Sequence, residues 1–192
     1  SNNKKLISVE VIKKIRDPEE QTDLWVLFAL VKKTPTEYII QKSTELGASK
    51  IVPLITERTV TKSLNLKRFR DIAIEASEQC ERITIPEILP LQKLYDVIDN
   101  WVDKRNIYYG DETMRHDKQS SNNFNKSTNA SCGAVLVGPE GGFTKKEISY
   151  LKQKKFVIPI NFGPRILKSD TAVITALVFW HTLNGDMKNC FY

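Results

Sequence analysis

Two corners built from glycine and proline constrain the fold of this chain more than any other feature. Val137-Gly138-Pro139-Glu140-Gly141-Gly142-Phe143 follows the apolar stretch 134–137, and Phe162-Gly163-Pro164-Arg165-Ile166-Leu167 follows the apolar stretch 156–160. Each also precedes a run of helical periodicity, so each reads as a joint from strand to loop to helix. Glycine lets a backbone come close to a ligand, and proline keeps the loop's amides and carbonyls aimed. One such corner is an ordinary turn. Two at equivalent joints read as two walls of a single site.

The segments around the joints set the fold class. Residues 5–14 and 24–31 read as strands. Thr34, Pro35 and Glu37 then form a capping box with proline at the first helical position, opening a helix that should stop at Gly47. Residues 50–55 read as a buried strand. Phe69, Ile72, Ala73 and Ala76 recur at helical spacing over residues 67–79, and Leu94, Val97, Ile98 and Trp101 do the same before a strand at 106–109. Residues 117–131, rich in Ser, Asn and Lys, read as a mobile surface loop. A strand at 133–137, a helix capped by Thr144 and Glu147, a strand at 156–160 and a helix at 171–183 complete the pattern. Strands alternating with helices over residues 24–183 predict an α/β fold, a mostly parallel sheet with helices on both faces. Ligands in such folds sit at the carboxyl ends of strands, so the loops after Tyr109, Val137 and Ile160 should line one crevice. Trp25, Trp101 and Trp180 read as core, and Cys80 as a small buried residue.

Charge points to the class of partner. The chain carries a formal net charge of +6 over 192 residues, which suits a polyanion. Arg58, Lys62, Lys67, Arg68 and Arg70 fall in a stretch free of carboxylates. That stripe is either a track for phosphates or a solvated helix face. The 3 cysteines and 2 histidines show neither a disulfide framework nor zinc-ligand spacing, so no metal is expected and a reducing cytoplasm is the natural compartment. No apolar run has the length of a membrane span, and no secretory signal is present. Gly-x-Gly-x-x-Gly and Gly-Lys-Ser/Thr are both missing, so dinucleotide and P-loop readings fail on spacing.

Four stretches together resemble one family. EYIIQKSTELGASKIVPLITERTV at 37–60, EASEQCERITIPEI at 75–88, the run 137–143 with Glu147, and GPRILKSDTA at 163–172 follow the order of the ribosomal small-subunit RNA methyltransferase E family. That family lies within the trefoil-knotted SPOUT superfamily. The resemblance implies a deep C-terminal knot, one of the exceptions to unthreaded connections. It also implies a methyltransferase domain at residues 32–192, with residues 1–31 as the tail of an N-terminal PUA-like β-barrel. The expected cofactor is S-adenosylmethionine, bent and held largely by backbone groups. Its expected site comprises Tyr109, Gly110, Leu136, Val137, Gly138, Pro139, Glu140, Gly141, Ile160, Phe162, Gly163, Ile166, Leu167, Ser169 and Ala172. The implied reaction is methylation of N3 of a uridine in small-subunit (16S) ribosomal RNA by a cytoplasmic homodimer without membrane attachment. Two alternatives stay open: a SPOUT methyltransferase of another RNA, and a non-catalytic RNA-binding module of ribosome assembly. The chain has Lys168-Ser169-Asp170 where the family commonly has Arg-Thr-Glu, and lysine lacks the planar fork of arginine.

N3 of uridine must lose its proton to become a nucleophile, which assigns candidate roles. Arg165 and Lys168 could stabilise the developing anion. Glu140 could act as a base, or fix its own loop by accepting backbone amides. Asp170 could act as a base or cap the last helix. Arg58 and Arg82 could bind ribosomal phosphates or pair with Glu57, Glu75, Glu78 or Glu81. Gly141 is expected to leave room for the cofactor. Val173, Leu177 and Trp180 could form a dimer contact or pack inward.

Overall fold

The computed structural model describes residues 8–17, 22–101, 105–115, 132–188 and 190. The stretch 117–131, expected to form a mobile loop, lies outside them. The core is a parallel sheet of β1 (Asp23–Ala29), β2 (Lys50–Ile55), β3 (Glu87–Ile88), β4 (Gln92–Lys93), β5 (Ile107–Gly110), β6 (Cys132–Val137) and β7 (Val157–Ile160). Its order is β3-β2-β1-β6-β5-β7, with β4 beside β2, and every described pairing is parallel. Gly110 therefore pairs with Ile160, and Tyr109 with Leu136, which brings the carboxyl ends of β5, β6 and β7 to one edge.

Alternation along the strands divides the core into two layers. Leu24, Val26, Phe28, Tyr108, Val135 and Val137 face helices α1 (Lys33–Glu45), α2 (Leu66–Gln79) and α5 (Ser169–Asn184). Leu27, Val52, Leu54, Tyr109, Ala134 and Leu136 face α3 (Leu94–Asp99) and α4 (Lys145–Lys152). Helices thus cover both faces of the sheet, as expected. Full burial of each large aliphatic or aromatic side chain contributes about 1.5–3 kcal/mol, so these two layers carry most of the stability.

Local sequence signals match the helix ends at some places and not at others. Thr144 and Glu147 form a full capping box at α4. Asn65 caps α2 by accepting from the Arg68 N–H, and Phe69, Ile72, Ala73 and Ala76 are its buried face. Gly47, at φ 79°, ends α1 in the left-handed region. The capping box expected at Thr34 and Glu37 does not form. The α1 helix starts at Lys33, Thr36 Oγ1 donates to Val31 O, and Glu37 pairs with Arg68. Proline is tolerated throughout a first turn because those N–H groups lack intrahelical acceptors anyway, so Pro35 does not fix the start to one residue.

The amino-terminal expectation needs two corrections. Residues 8–17 form no strand, and Val9, Val11, Ile12 and Ile15 are 87–92% exposed. A β-like pattern becomes a strand only where a neighbouring edge takes up its backbone groups. Strand β1, assigned to the barrel tail within residues 1–31, instead lies in the sheet between β2 and β6. The α/β unit therefore includes residues 23–29. Cys80 is exposed rather than buried. His181 is fully buried, with Nδ1 2.8 Å from Asp186. Val173, Leu177 and Trp180 are at most 1% exposed, so they are core and not a dimer surface.

Candidate functional site

A cleft of about 690 Å³, partly continuous with solvent, opens where β5, β6 and β7 end. Tyr109 and Gly110 reach it from β5, and Val137, Gly138 and Pro139 from β6. Ile160, Phe162 and Gly163 enter from β7, while Ile166, Leu167, Ser169 and Ala172 lead into α5. Three expected members stay outside. Leu136 is fully buried in the layer facing α3 and α4, and Glu140 and Gly141 form the exposed tip of a turn closed by Gly142 N–H donating to Pro139 O.

Short bonds hold the cleft walls to one another. Ser169 Oγ donates to Gly138 O at 2.9 Å, tying the start of α5 to the β6 loop. Asn161 Nδ2 donates to Met114 O, and Asn161 Oδ1 accepts from Gly163 N–H, which joins the β5 and β7 loops. The β2–α2 connection grips the far side. Glu57 N–H donates to Glu147 Oε1, Thr144 Oγ1 donates to Glu57 Oε2, and Arg58 Nη1 donates to Gly141 O at 2.5 Å. The Thr144 hydroxyl and the Tyr95 hydroxyl hold the Glu57 carboxyl below its ordinary pKa. Tyr95 is pushed up to about 12 by partial burial and by that carboxylate.

Gly141 has a different role from the one expected. A side chain there would meet Arg58 Cδ at 3.4 Å and Cβ at 3.8 Å, not the cleft. Gly163 is the glycine that opens onto the site. It lines the cleft at φ 97°, and no heavy atom lies within 4 Å of the place a Cβ would take.

Two acidic residues in the cleft went unnoticed in the sequence. Asp111 is buried and accepts from Tyr109 Oη at 3.0 Å, from the Thr113 amide and hydroxyl, and from Lys152 Nζ. Burial opposes its charge, but the bonds from Thr113, Lys152 and Tyr109 outweigh that and keep its pKa below the ordinary aspartate value. Burial first and Asp111 second push the Tyr109 phenol upward. Glu112 is exposed beside the β6 loop, its Oε1 2.7 Å from where a side chain on Gly142 would begin. Both residues directly follow β5, so the rule that ligands sit past strand carboxyl ends could have found them. Arg115, Phe143, Ile148 and Asn161 complete the lining.

The expected catalytic and RNA-facing residues divide. Arg165 is exposed and lines the cleft, whereas Lys168, the residue before α5, does not. The Asp170 carboxylate accepts from Thr171 N–H within the first turn of α5. Among the stripe residues, Lys67 pairs with Asp71 and Arg68 with Glu37, while Lys62 and Arg70 are exposed. Arg82 turns toward the backbone at the end of α1. Its guanidinium donates to Thr44 O at 2.8 Å and Ala48 O at 2.7 Å at the end of α1, and burial lowers its pKa. A cation there satisfies carbonyls left open by the helix terminus.

A family model described as RNA methyltransferase domain matches residues 18–181. The ribosomal RNA small subunit methyltransferase E of Rickettsia conorii is 33% identical over 174 residues, covering 89% of this chain and 69% of that protein. A Legionella pneumophila methyltransferase solved with bound S-adenosylmethionine is 32% identical at a TM-score of 0.74, covering 86% of this chain and 68% of that one. A Neisseria gonorrhoeae ribosomal RNA small subunit methyltransferase E, also solved with S-adenosylmethionine, is 26% identical at a TM-score of 0.74. This chain spans 66% of that solved chain, and the match covers 84% of this one.

Proposed function

The chain belongs to the RNA methyltransferase domain family, among the ribosomal RNA small subunit methyltransferases E, and from that premise we propose that it methylates N3 of a uridine in small-subunit ribosomal RNA with S-adenosylmethionine. The observation that carries this reading is the cleft itself, and above all Gly163. Its open left-handed corner offers main-chain groups at close range, and the apolar side chains of Val137, Ile160 and Leu167 suit an adenine face. Ile166, 63% exposed at the cleft, is a large apolar side chain that a bound cofactor would cover. These residues fit S-adenosylmethionine, which when bound supplies an electrophilic methyl group.

The side chains of the chain supply positioning and charge. Arg165 places a guanidinium where negative charge develops on the uracil ring as N3 loses its proton. Glu112 is the cleft carboxylate free to take that proton, since Asp111 is spent on Thr113, Tyr109 and Lys152. Glu140 and Asp170, the earlier candidates for that role, do not line the cleft. Ser169 and Asn161 keep the walls in register, so the reacting groups meet in line.

Three further assignments belong to the same reading. The carboxyl-terminal part threads as a trefoil knot, supported by an order in which β5 sits between β6 and β7. The exposed residues 8–17 lead toward a PUA-like barrel. Two copies of the chain form a homodimer. Mass-spectrometric mapping of small-subunit ribosomal RNA after incubation with the chain and S-adenosylmethionine tests the central assignment. One N3-methyluridine is expected, and a methyl group on another atom or another RNA would overturn it.

A further inference from the structure

The turn after β2 is fixed internally and fastened to both ends of the Gly-rich β6 loop. Thr56 and Thr59, 6% and 5% exposed, bond to each other through their hydroxyls at 2.8 Å, and Thr59 Oγ1 accepts from Thr56 N–H at 2.9 Å. Glu57 then engages Thr144 and Glu147 at the helical end of the loop. Arg58 reaches the other end, donating through one N–H to the carbonyl of Gly141 at the exposed tip. Its stem lies beside Gly141, where a Cβ would touch Arg58 Cδ at 3.4 Å, an ordinary contact.

One bond uses a small part of a guanidinium. Arginine carries five N–H donors in a rigid fork, and no other hydrogen bond or ion pair to Arg58 is found among the described residues. Its neighbours on the same connection face solvent: Val60 is 93% exposed, and Lys62 is exposed as well. An apolar side chain between two cations suits a single RNA strand, with phosphates on the cations and a base against the valine. An acidic protein partner would leave Val60 without a matching flat face.

We propose that Arg58 is a positioning residue that couples RNA binding to the cofactor cleft. It holds the Gly141 carbonyl with one N–H and takes an RNA phosphate with the others. A phosphate on the fork fixes the guanidinium, the fixed guanidinium fixes the turn at residues 139–142, and Gly142 of that turn lines the cleft. RNA and S-adenosylmethionine then strengthen each other's binding by the same factor, as linkage requires. This inference rests on the methyltransferase reading and adds a communication path to it.

Calorimetry of S-adenosylmethionine binding, with and without saturating deproteinised small-subunit ribosomal RNA, tests the coupling. In the parent chain the RNA should tighten cofactor binding by at least about fivefold. In Arg58→Ala that ratio should fall to about 1, whatever the variant's affinity without RNA. In Arg58→Lys, which keeps the charge and loses the fork, it should stay below about twofold. A merely structural role would lower both affinities together and leave the ratio intact. An unchanged ratio in Arg58→Ala, or a parent chain indifferent to RNA, overturns the coupling while the methyltransferase reading stands. A parent chain that binds no S-adenosylmethionine under either condition removes both.

Discussion

The cofactor cleft and the basic stripe are built on opposite principles. The cleft gathers three separate segments, and backbone groups or short side chains join its walls: Ser169 to Gly138, Asn161 to Gly163 and Met114. The stripe is continuous in sequence, yet its long cations scatter in space. Arg58 turns to the β6 loop, Lys67 and Arg68 to carboxylates, and only Lys62 and Arg70 stand exposed without a hydrogen bond or ion pair among the described residues. A site made of backbone is fixed where the fold puts it. A site made of flexible charges depends on which acids lie within reach, and sequence spacing does not say.

Arg82 marks the contrast most sharply, because it was grouped with the RNA-facing cations and is a helix-end clasp instead. Arg82→Ala should destabilise the fold by about 2–3 kcal/mol, since two charged hydrogen bonds to carbonyls are lost. The salt dependence of RNA binding should not change. Urea unfolding paired with a salt titration would decide, and a stable variant with a flattened salt slope would return Arg82 to the RNA surface.

Gly163 probes the other side of the comparison. Gly163→Val places a branched side chain at φ 97°, costing about 1–3 kcal/mol of backbone strain. Cofactor affinity should drop by at least about tenfold. Gly141→Val should act differently, by displacing Arg58 rather than filling the cleft. Equal losses of cofactor binding without RNA in the two variants would blur the distinction drawn between these glycines.

The legible parts of the molecule were those written in local chemistry. Thr144 and Glu147 form their capping box because both partners lie within one turn. The central strands read as apolar runs because β1, β2 and β6 are buried on both faces. The crevice could be placed because parallel strands end together, and the Gly-Pro corners identified two of its walls. What stayed hidden depends on partners distant in sequence. The α1 helix starts before Thr34, so Glu37 lies too far along it to close a capping box and pairs instead with Arg68, 31 residues away. Arg82 found carbonyls at the end of α1. Asp111 and Glu112 carry no motif of their own, and only their position just past β5 marks them.

The smallest expected effect concerns the stripe. Three free cations would each contribute about 0.7 to the log–log salt slope on single-stranded RNA, about two units in all. Lys67 and Arg68 are already paired with Asp71 and Glu37, so neutralising Lys67, Arg68 and Arg70 together should reduce the slope by about 0.7, one contact's worth. A reduction near two units would mean that RNA outcompetes both ion pairs, which exposed pairs worth about 0–1 kcal/mol would permit.

Amide chemical-shift mapping on addition of S-adenosylmethionine tests the cleft assignment most directly. The backbone amides of Gly110, Gly138, Gly142, Gly163 and Ser169 should move, while those of Lys62, Lys67, Arg68, Arg70 and Arg82 stay in place. Shifts centred on residues 62–70 or around Arg82, with the cleft amides unmoved, would contradict a cofactor site made of the backbone after β5, β6 and β7.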